Sequence, residues 1–170
     1  MKKTLLALLL LAFPMLSQAH AGPPEGWPFV SYEKGMPLAK QNNKPVFILF
    51  GLEPCPFCEH LNAHTFSDAK LRELYSQEYV LIYMEIKGLN EQSEHVLPDG
   101  TTISHRDFVR KHRAFVAPAW AYYDHNGVKV FQGAGSEESA DNFRNFHKYV
   151  AGEHFKQATY NEFLSKQATQ

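Results

Sequence analysis

Two cysteines stand three positions apart in the motif Cys55-Pro56-Phe57-Cys58, and the 170-residue chain contains no others. The apolar run Val46 to Phe50 lies shortly before them and predicts a buried strand, and the residues that follow predict a helix. Two thiols at this spacing, on a strand-to-helix turn, can form and break a disulfide with each other. The residue types and their spacing therefore predict thiol–disulfide exchange.

The start of the helix determines which cysteine attacks. A thiolate is the nucleophile, and an ordinary thiol with a pKa near ~8.5 is mostly protonated at neutral pH. Unpaired backbone N–H groups and the helix dipole favour the anion at a helix N-terminus, and Pro56 suits the first turn because it has no N–H to satisfy. We therefore predict that Cys55 attacks a disulfide and that Cys58, one turn further in, resolves the mixed disulfide.

The pair has two other interpretations. As a structural staple it would close so small a loop that it would remove little entropy from the unfolded chain. His60 and His64 form an i,i+4 pair, and together with Cys55 and Cys58 they could bind copper or zinc in a Cys2His2 site. We favour two histidines on an exposed helix face, because the cysteines are expected to face away from that side, and we predict no metal site.

The N-terminal residues predict a cleaved signal peptide over residues 1–21. Lys2 and Lys3 form a basic start, Thr4 to Leu16 is a short apolar run, and Ala19-His20-Ala21 supplies small residues at the cleavage site. The apolar run is too short to span a membrane, and an uncleaved anchor is the alternative. Export to the periplasm would place the cysteines in a compartment where disulfides persist.

The remaining length fits one domain over residues 22–170. The whole chain has 17 Lys and Arg against 18 Asp and Glu, and no basic cluster stands out. Nucleic acid is therefore not an expected partner.

Hydrophobic patterning predicts the order of the helices and strands. Strands are expected at 46–50, 79–86, 115–123 and 128–131, with helices at 31–41, 55–64, 68–76, 104–113, from 136 onward and at 160–166. The polar stretch at about 87–103 is expected to form an excursion or a small hairpin. A strand–helix–strand crossover followed by an antiparallel pair gives a mixed sheet with helices on both faces. The cysteines then lie at the carboxyl edge of the sheet, where open α/β sheets place their sites.

This order, with the CPFC motif and Val116-Ala117-Pro118, resembles the thioredoxin superfamily and, within it, exported SoxW-like thioredoxins. The resemblance covers about residues 27–166, and the motifs that carry it are Lys44 to Phe50, Cys55 to Cys58, Thr65 to Asp68 and Asp124 to Gly127. The resemblance implies an α/β, thioredoxin-like three-layer fold with a mixed central sheet flanked by helices.

The same resemblance implies further features of the site. Pro118 is expected to be cis and to face the two sulfurs, which leaves the backbone of Ala117 to pair with an extended substrate segment. Pro56 and Phe57, between the cysteines, complete the expected substrate-binding residues. The implied protein is a monomer that needs no cofactor beyond its own redox-active disulfide, and a membrane thiol-electron donor of the DsbD/CcdA type re-reduces it.

Some residues depart from the family pattern. Thioredoxin has a tryptophan where Pro54 precedes Cys55, and it has a buried acid where this chain has the apolar Leu49. Glu53, two residues before Cys55, is the candidate for proton handling in its place, and it would raise the thiol pKa if it lay close. The CPFC motif also resembles that of glutaredoxins, but the Gly-Gly pattern expected after the proline strand is not evident.

The most specific hypothesis is a periplasmic thiol–disulfide oxidoreductase that reduces protein disulfides. An oxidase or isomerase of the same fold is the first alternative, because the residues between the cysteines and the local field set the redox potential. A non-enzymatic copper or zinc binder that uses the CxxC pair is the second.

Overall fold

Helices and strands are distributed along residues 22–87 and 93–169, which are the residues that the computed structural model describes. In chain order they are α1 (Tyr32–Asn42), β1 (Val46–Gly51), α2 (Pro56–His64), α3 (Ala69–Glu78), β2 (Val80–Glu85), β3 (Glu94–Val96), β4 (Thr102–Ser104), α4 (His105–His112), β5 (Ala119–Tyr123), β6 (Lys129–Ala134), α5 (Ala140–Ala151) and α6 (Tyr160–Gln167). The predicted signal peptide, residues 1–21, lies outside the described residues, as do residues 88–92 of the predicted polar insertion. No helix in the described part of the chain is long and apolar enough to cross a membrane.

The central sheet has four strands in the order β2-β1-β5-β6. β1 pairs in parallel with β2 and antiparallel with β5, and β5 pairs antiparallel with β6. Every residue of β1 is buried, which explains why its sequence is apolar throughout rather than alternating. The predicted mixed sheet is confirmed.

Helices cover both faces of this sheet because the side chains of each strand alternate between them. Phe47 and Leu49 belong to the buried cluster that α2, α3, α5 and α6 cover. Ile48 and Phe50 belong to the opposite cluster, under α1 and α4. The predicted three-layer α/β architecture is therefore confirmed.

Two predicted helix starts are too early, by one residue for α3 and by about four residues for α5. α3 begins after Asp68 rather than Ser67, because the Asp68 carboxylate accepts the hydrogen bond of the Leu71 N–H at 2.8 Å. α5 begins after Ser139 rather than Ser136, since the Ser139 hydroxyl is the one that accepts a backbone N–H of the first turn. In both helices the observed N-cap residue lies one to three positions after the predicted one, and both residues are of types that are favoured as N-caps.

The polar insertion forms a hairpin, β3–β4, that a chain of hydrogen bonds fastens to the domain. His95 Nδ1 lies 2.8 Å from Glu33 Oε1, His95 Nε2 lies 3.0 Å from His105 Nδ1, and His105 Nε2 lies 3.2 Å from the Ile86 carbonyl oxygen. The Glu33 carboxylate on α1 and the Ile86 carbonyl oxygen after β2 lie at the two ends of this chain, so it ties the hairpin to the domain at two places.

Replacing that carboxylate is expected to weaken the hairpin. Burial alone would raise the pKa of the Glu33 carboxyl, but hydrogen bonds from its backbone N–H, His95 and Ser31 hold it below its ordinary value. We expect Glu33→Gln to lower the free energy of unfolding by about 1 kcal/mol at neutral pH, a modest figure because the side chain is half exposed. Since the folded-state pKa is depressed, this stabilisation is present above the unfolded carboxyl pKa and is lost as the pH falls through the folded value.

Urea unfolding of the wild-type protein and the Glu33→Gln variant across pH tests this expectation. Glu94→Gln, which changes an exposed carboxylate on the same hairpin, is the matched control and is expected to change little. Equal stability of all three proteins at neutral pH would contradict a stabilising contact between Glu33 and His95.

Candidate active site

The two cysteines lie where β1 ends and α2 begins. Cys55 is the N-cap residue of α2 and Pro56 is in its first turn, in agreement with the predicted start of the helix. The Cys55 Sγ accepts a hydrogen bond from the Cys58 N–H at 3.1 Å. A sulfur at this position meets the unpaired N–H groups and the positive end of the helix dipole, both of which favour a thiolate over a thiol.

Cys55 and Cys58 form a disulfide with a Cα–Cα distance of 5.2 Å. Both residues are buried, each about 4% exposed. Leu52 and Ala117 pack against the pair. The structure therefore brings the CxxC motif into contact with the loop before β5, which is far away in the sequence.

Pro118 ends that loop. The Ala117–Pro118 peptide bond is cis, and so is Glu53–Pro54, just before Cys55 in the sequence. β5 begins at Ala119, so the strand start predicted at residue 115 is wrong. The proline has no N–H to donate to a neighbouring strand, while its carbonyl oxygen accepts a hydrogen bond from the Gly135 N–H at 3.0 Å.

Apolar side chains are exposed on both segments that flank the disulfide. Phe57, between the two cysteines, is 65% exposed, and Phe115 and Val116, just before Ala117, are 67% and 59% exposed. Pro56 is exposed as well, whereas Pro118 is buried. Exposed apolar residues grouped in this way are typical of a surface that binds another protein.

Glu53 is exposed, and its clearest electrostatic effect is on Tyr83. Burial first, then the Glu85 and Glu53 carboxylates, raise the pKa of Tyr83 to about 12. Tyr83 and Asn62 line a small cavity together with Cys58 and are the polar side chains among its described lining residues. No local sequence pattern marks either residue as part of the site. The available signal was the crossover: because β2 is parallel to β1, its last residues lie beside the turn that carries the cysteines.

The two histidines of α2 lie close to each other. Their ring centroids are 4.2 Å apart, and His60 Nε2 is 3.7 Å from Glu137 Oε1 on an exposed surface. Within residues 22–87 and 93–169, no group of three or more His, Cys, Asp or Glu side chains has an arrangement that could hold a metal ion.

Comparison with known proteins gives one family match and several distant relatives. A family model described as a thioredoxin-like domain matches residues 32–151. An uncharacterised protein from Archaeoglobus fulgidus is 28% identical over 79 residues, which cover 46% of this chain and 59% of that protein. The chain thus spans less than two thirds of the length of the curated relatives that it matches.

Solved structures give the same result at the level of the fold. A thioredoxin-fold protein from Helicobacter pylori superposes with a TM-score of 0.60 at 17% identity, covering 74% of this chain and 80% of that one. The reduced C-terminal domain of DsbD from Neisseria meningitidis superposes with a TM-score of 0.53 at 16% identity, covering 68% of this chain and 90% of that domain. At these identities the likeness concerns the fold alone.

Proposed function

The chain belongs to the thioredoxin-like domain family, and we propose that it is a thiol–disulfide oxidoreductase. The observation that carries the proposal is the Cys55–Cys58 disulfide at the N-terminus of α2. Cys55 lies where a helix stabilises a thiolate, and Cys58 lies within bonding distance to release whatever Cys55 has captured. Ala117 and exposed apolar residues border the pair, where a protein substrate would bind.

We propose the reducing direction, for which the resemblance to SoxW-like thioredoxins is the support. The Cys55 thiolate attacks one sulfur of the substrate disulfide, and the other sulfur leaves as a thiolate. Cys58 then gives up its proton and attacks Cys55 Sγ, so the mixed disulfide breaks and the Cys55–Cys58 bond forms. The substrate has gained two electrons and two protons, and the protein has lost them. A membrane thiol-electron donor of the DsbD/CcdA type would restore the dithiol.

The location and the partners belong to the same proposal. The sequence pattern of residues 1–21 supports export to the periplasm. Substrate proteins keep their disulfides in that compartment, and the proposed membrane donor would reach the protein there. We propose a monomer that acts on protein disulfides and uses no cofactor or metal. An oxidase would use the same cysteines in the opposite direction, whereas an isomerase would attack with Cys55 and regain its dithiol without net electron transfer.

Insulin reduction by dithiothreitol tests the activity directly. We expect a protein covering residues 22–170 to accelerate the reduction of insulin disulfides well above the rate with dithiothreitol alone. Absence of acceleration, together with a metal bound as purified and thiols that react with alkylating reagents only after chelation, would instead favour the copper or zinc binder.

A substitution of Val116, compared with one of Val128, tests whether the exposed apolar residues beside the disulfide bind the protein substrate. We expect Val116→Asp to raise the KM for insulin about tenfold, because a carboxylate placed in an apolar contact costs roughly 1–2 kcal/mol. The rate with a small aromatic disulfide is expected to stay within about twofold, since that substrate needs no extended contact. Val128→Asp is the control, because Val128 is also 59% exposed but lies in the turn between β5 and β6. Equal effects of the two substitutions on insulin reduction would contradict the assigned surface.

A further inference from the structure

A small cavity lies against Cys58, on the inner side of the disulfide. Its volume is about 10 Å³, and Leu49, Asn62, Tyr83 and Pro118 line it together with Cys58. That volume is close to the roughly 10–15 Å³ that a single buried water needs. A water also needs two or more polar partners, so the polar groups around the cavity decide whether one is held there.

Tyr83 is the one ionisable side chain, apart from Cys58 itself, among the described residues that line the cavity. The residue expected from the family pattern to be a buried acid is the apolar Leu49, and Tyr83 lies directly opposite it in the β1–β2 register. The Asn62 amide also lines the cavity and donates a hydrogen bond to the Gly22 carbonyl oxygen at 3.0 Å. An amide does not exchange protons near neutral pH, whereas a phenol hydroxyl donates one hydrogen bond and accepts two.

The end of β1 makes room for the Tyr83 hydroxyl. A Cβ atom on Gly51 would overlap that hydroxyl oxygen, so the hydroxyl lies over the last residue of the strand, four positions before Cys55. The ring itself is fixed by packing, since its centroid lies 6.3 Å from that of Phe29 in a T-shaped arrangement. The hydroxyl is therefore held at the cavity by the fold and not by a mobile loop.

The charge state of Tyr83 limits what it can do. The charged groups that act on it are Glu85 on the same strand and Glu53 in the turn before Cys55, and with burial they raise the pKa of Tyr83 to about 12. The phenol therefore keeps its proton at neutral pH and acts as a hydrogen-bond donor, not as a base. A donor at this cavity favours a negative charge on the sulfur that shares it.

Resting on the function proposed above, we propose that Tyr83 is a positioning residue for the resolving step, in which it acts on Cys58 through one water held in the cavity. The hydroxyl orients the water, and the water donates to the Cys58 sulfur as that sulfur becomes a thiolate. The bond between Cys55 and the substrate sulfur breaks as the Cys55–Cys58 bond forms, and the proton that the Cys58 thiol gives up ends on the substrate thiolate that leaves. The step therefore needs no other oxidant or reductant.

The reaction of the reduced protein with 5,5′-dithiobis(2-nitrobenzoate) reports the attack by Cys55 and the resolution by Cys58 as two successive steps. Each molecule of reduced protein releases one thionitrobenzoate when Cys55 attacks and a second when Cys58 resolves the mixed disulfide, so stopped-flow absorbance gives both rates. We expect Tyr83→Phe to leave the first phase unchanged and to slow the second about tenfold at pH 7. The defect is expected to shrink as the pH rises, because at high pH the thiol loses its proton without help.

The variant and its control keep the outcomes distinct. Tyr83→Phe retains the ring that packs against Phe29, and Tyr160→Phe changes a partly buried tyrosine with a similarly raised pKa on α6. An unchanged second phase in Tyr83→Phe would overturn the inference, and so would a second phase slowed equally at every pH, which is the result of a purely structural role. Release of fewer than two thionitrobenzoates per molecule of reduced wild-type protein would instead refute the proposed function itself.

Discussion

Cys55→Ser is expected to abolish disulfide reduction, with a fall of about a thousandfold or more in the rate of insulin reduction. A hydroxyl at the N-cap of α2 remains protonated at neutral pH, and it cannot form a mixed disulfide. The fold is expected to persist, because serine is itself a favoured N-cap residue and the disulfide closes only a short loop. The measurement is the insulin assay, with the melting temperature recorded to show that the variant is folded.

Cys58→Ser is expected to fail at a different step. Cys55 can still attack, so the variant should accumulate a stable mixed disulfide with its substrate, seen as a one-to-one covalent adduct by mass spectrometry. Turnover is lost because no second thiol resolves the adduct. The reverse pattern, an adduct with Cys55→Ser and none with Cys58→Ser, would contradict the assigned order of attack.

His112 is expected to produce the largest pH effect on stability. Its ring is buried beside Phe108, with centroids 4.2 Å apart, and Nδ1 is hydrogen-bonded to the Tyr123 hydroxyl. Nε2 has no hydrogen-bond partner among the described residues. Burial chiefly, with the positive charges of Lys129 and Lys111, lowers the pKa of His112 to about 4. The folded protein therefore holds this histidine neutral where the unfolded chain would protonate it.

The sign of the effect follows from proton binding. Between about pH 6.5, where an unfolded histidine titrates, and about pH 4, where His112 titrates in the folded protein, the unfolded chain binds more protons. Stability therefore falls as the pH is lowered through this window, by up to about 3 kcal/mol from His112 alone.

Urea unfolding between pH 7.5 and pH 4.5 measures this loss. His112→Gln is expected to be less stable at pH 7.5 but to lose less stability on acidification. His125→Gln, in the exposed turn before β6, is expected to follow the wild-type protein. An acid dependence in His112→Gln as steep as that of the wild-type protein would contradict the assignment.

The sequence was sufficient to predict the elements whose pattern depends on local chemistry. The continuous apolar run of β1, the cap and proline at the start of α2, and the Asp124–Gly127 turn each carry their own signal. The start of α5 could not be predicted in this way, since Ser136 and Ser139 are equally good caps. Tertiary contact decides between them: the Thr65 hydroxyl donates to the Glu138 carbonyl oxygen and fixes the chain just before Ser139.

The candidate site likewise contains some residues that local sequence predicts and others that it does not. The chemistry of Cys55 and Cys58 follows from their types and spacing, and the helix start follows from Pro56. The place of Tyr83 depends on the parallel register of β2 against β1, and no local pattern around residue 83 reports it. The hydrogen-bond chain through His95 and His105 likewise cannot be predicted from local sequence, because His95 on β3 meets His105, the first residue of α4, only when β3 pairs with β4.

The equilibrium redox titration of the protein covering residues 22–170 tests the central claim most directly. Thiol trapping in dithiothreitol and glutathione buffers would measure the oxidised fraction, with Cys58→Ser as the protein that has no intramolecular transition. The proposed reductase predicts one reversible two-electron transition near the thioredoxin end of the known range, about −270 mV. A transition near the DsbA end, about −120 mV, would contradict the reducing direction, and the absence of any reversible dithiol–disulfide transition would contradict the enzymatic function.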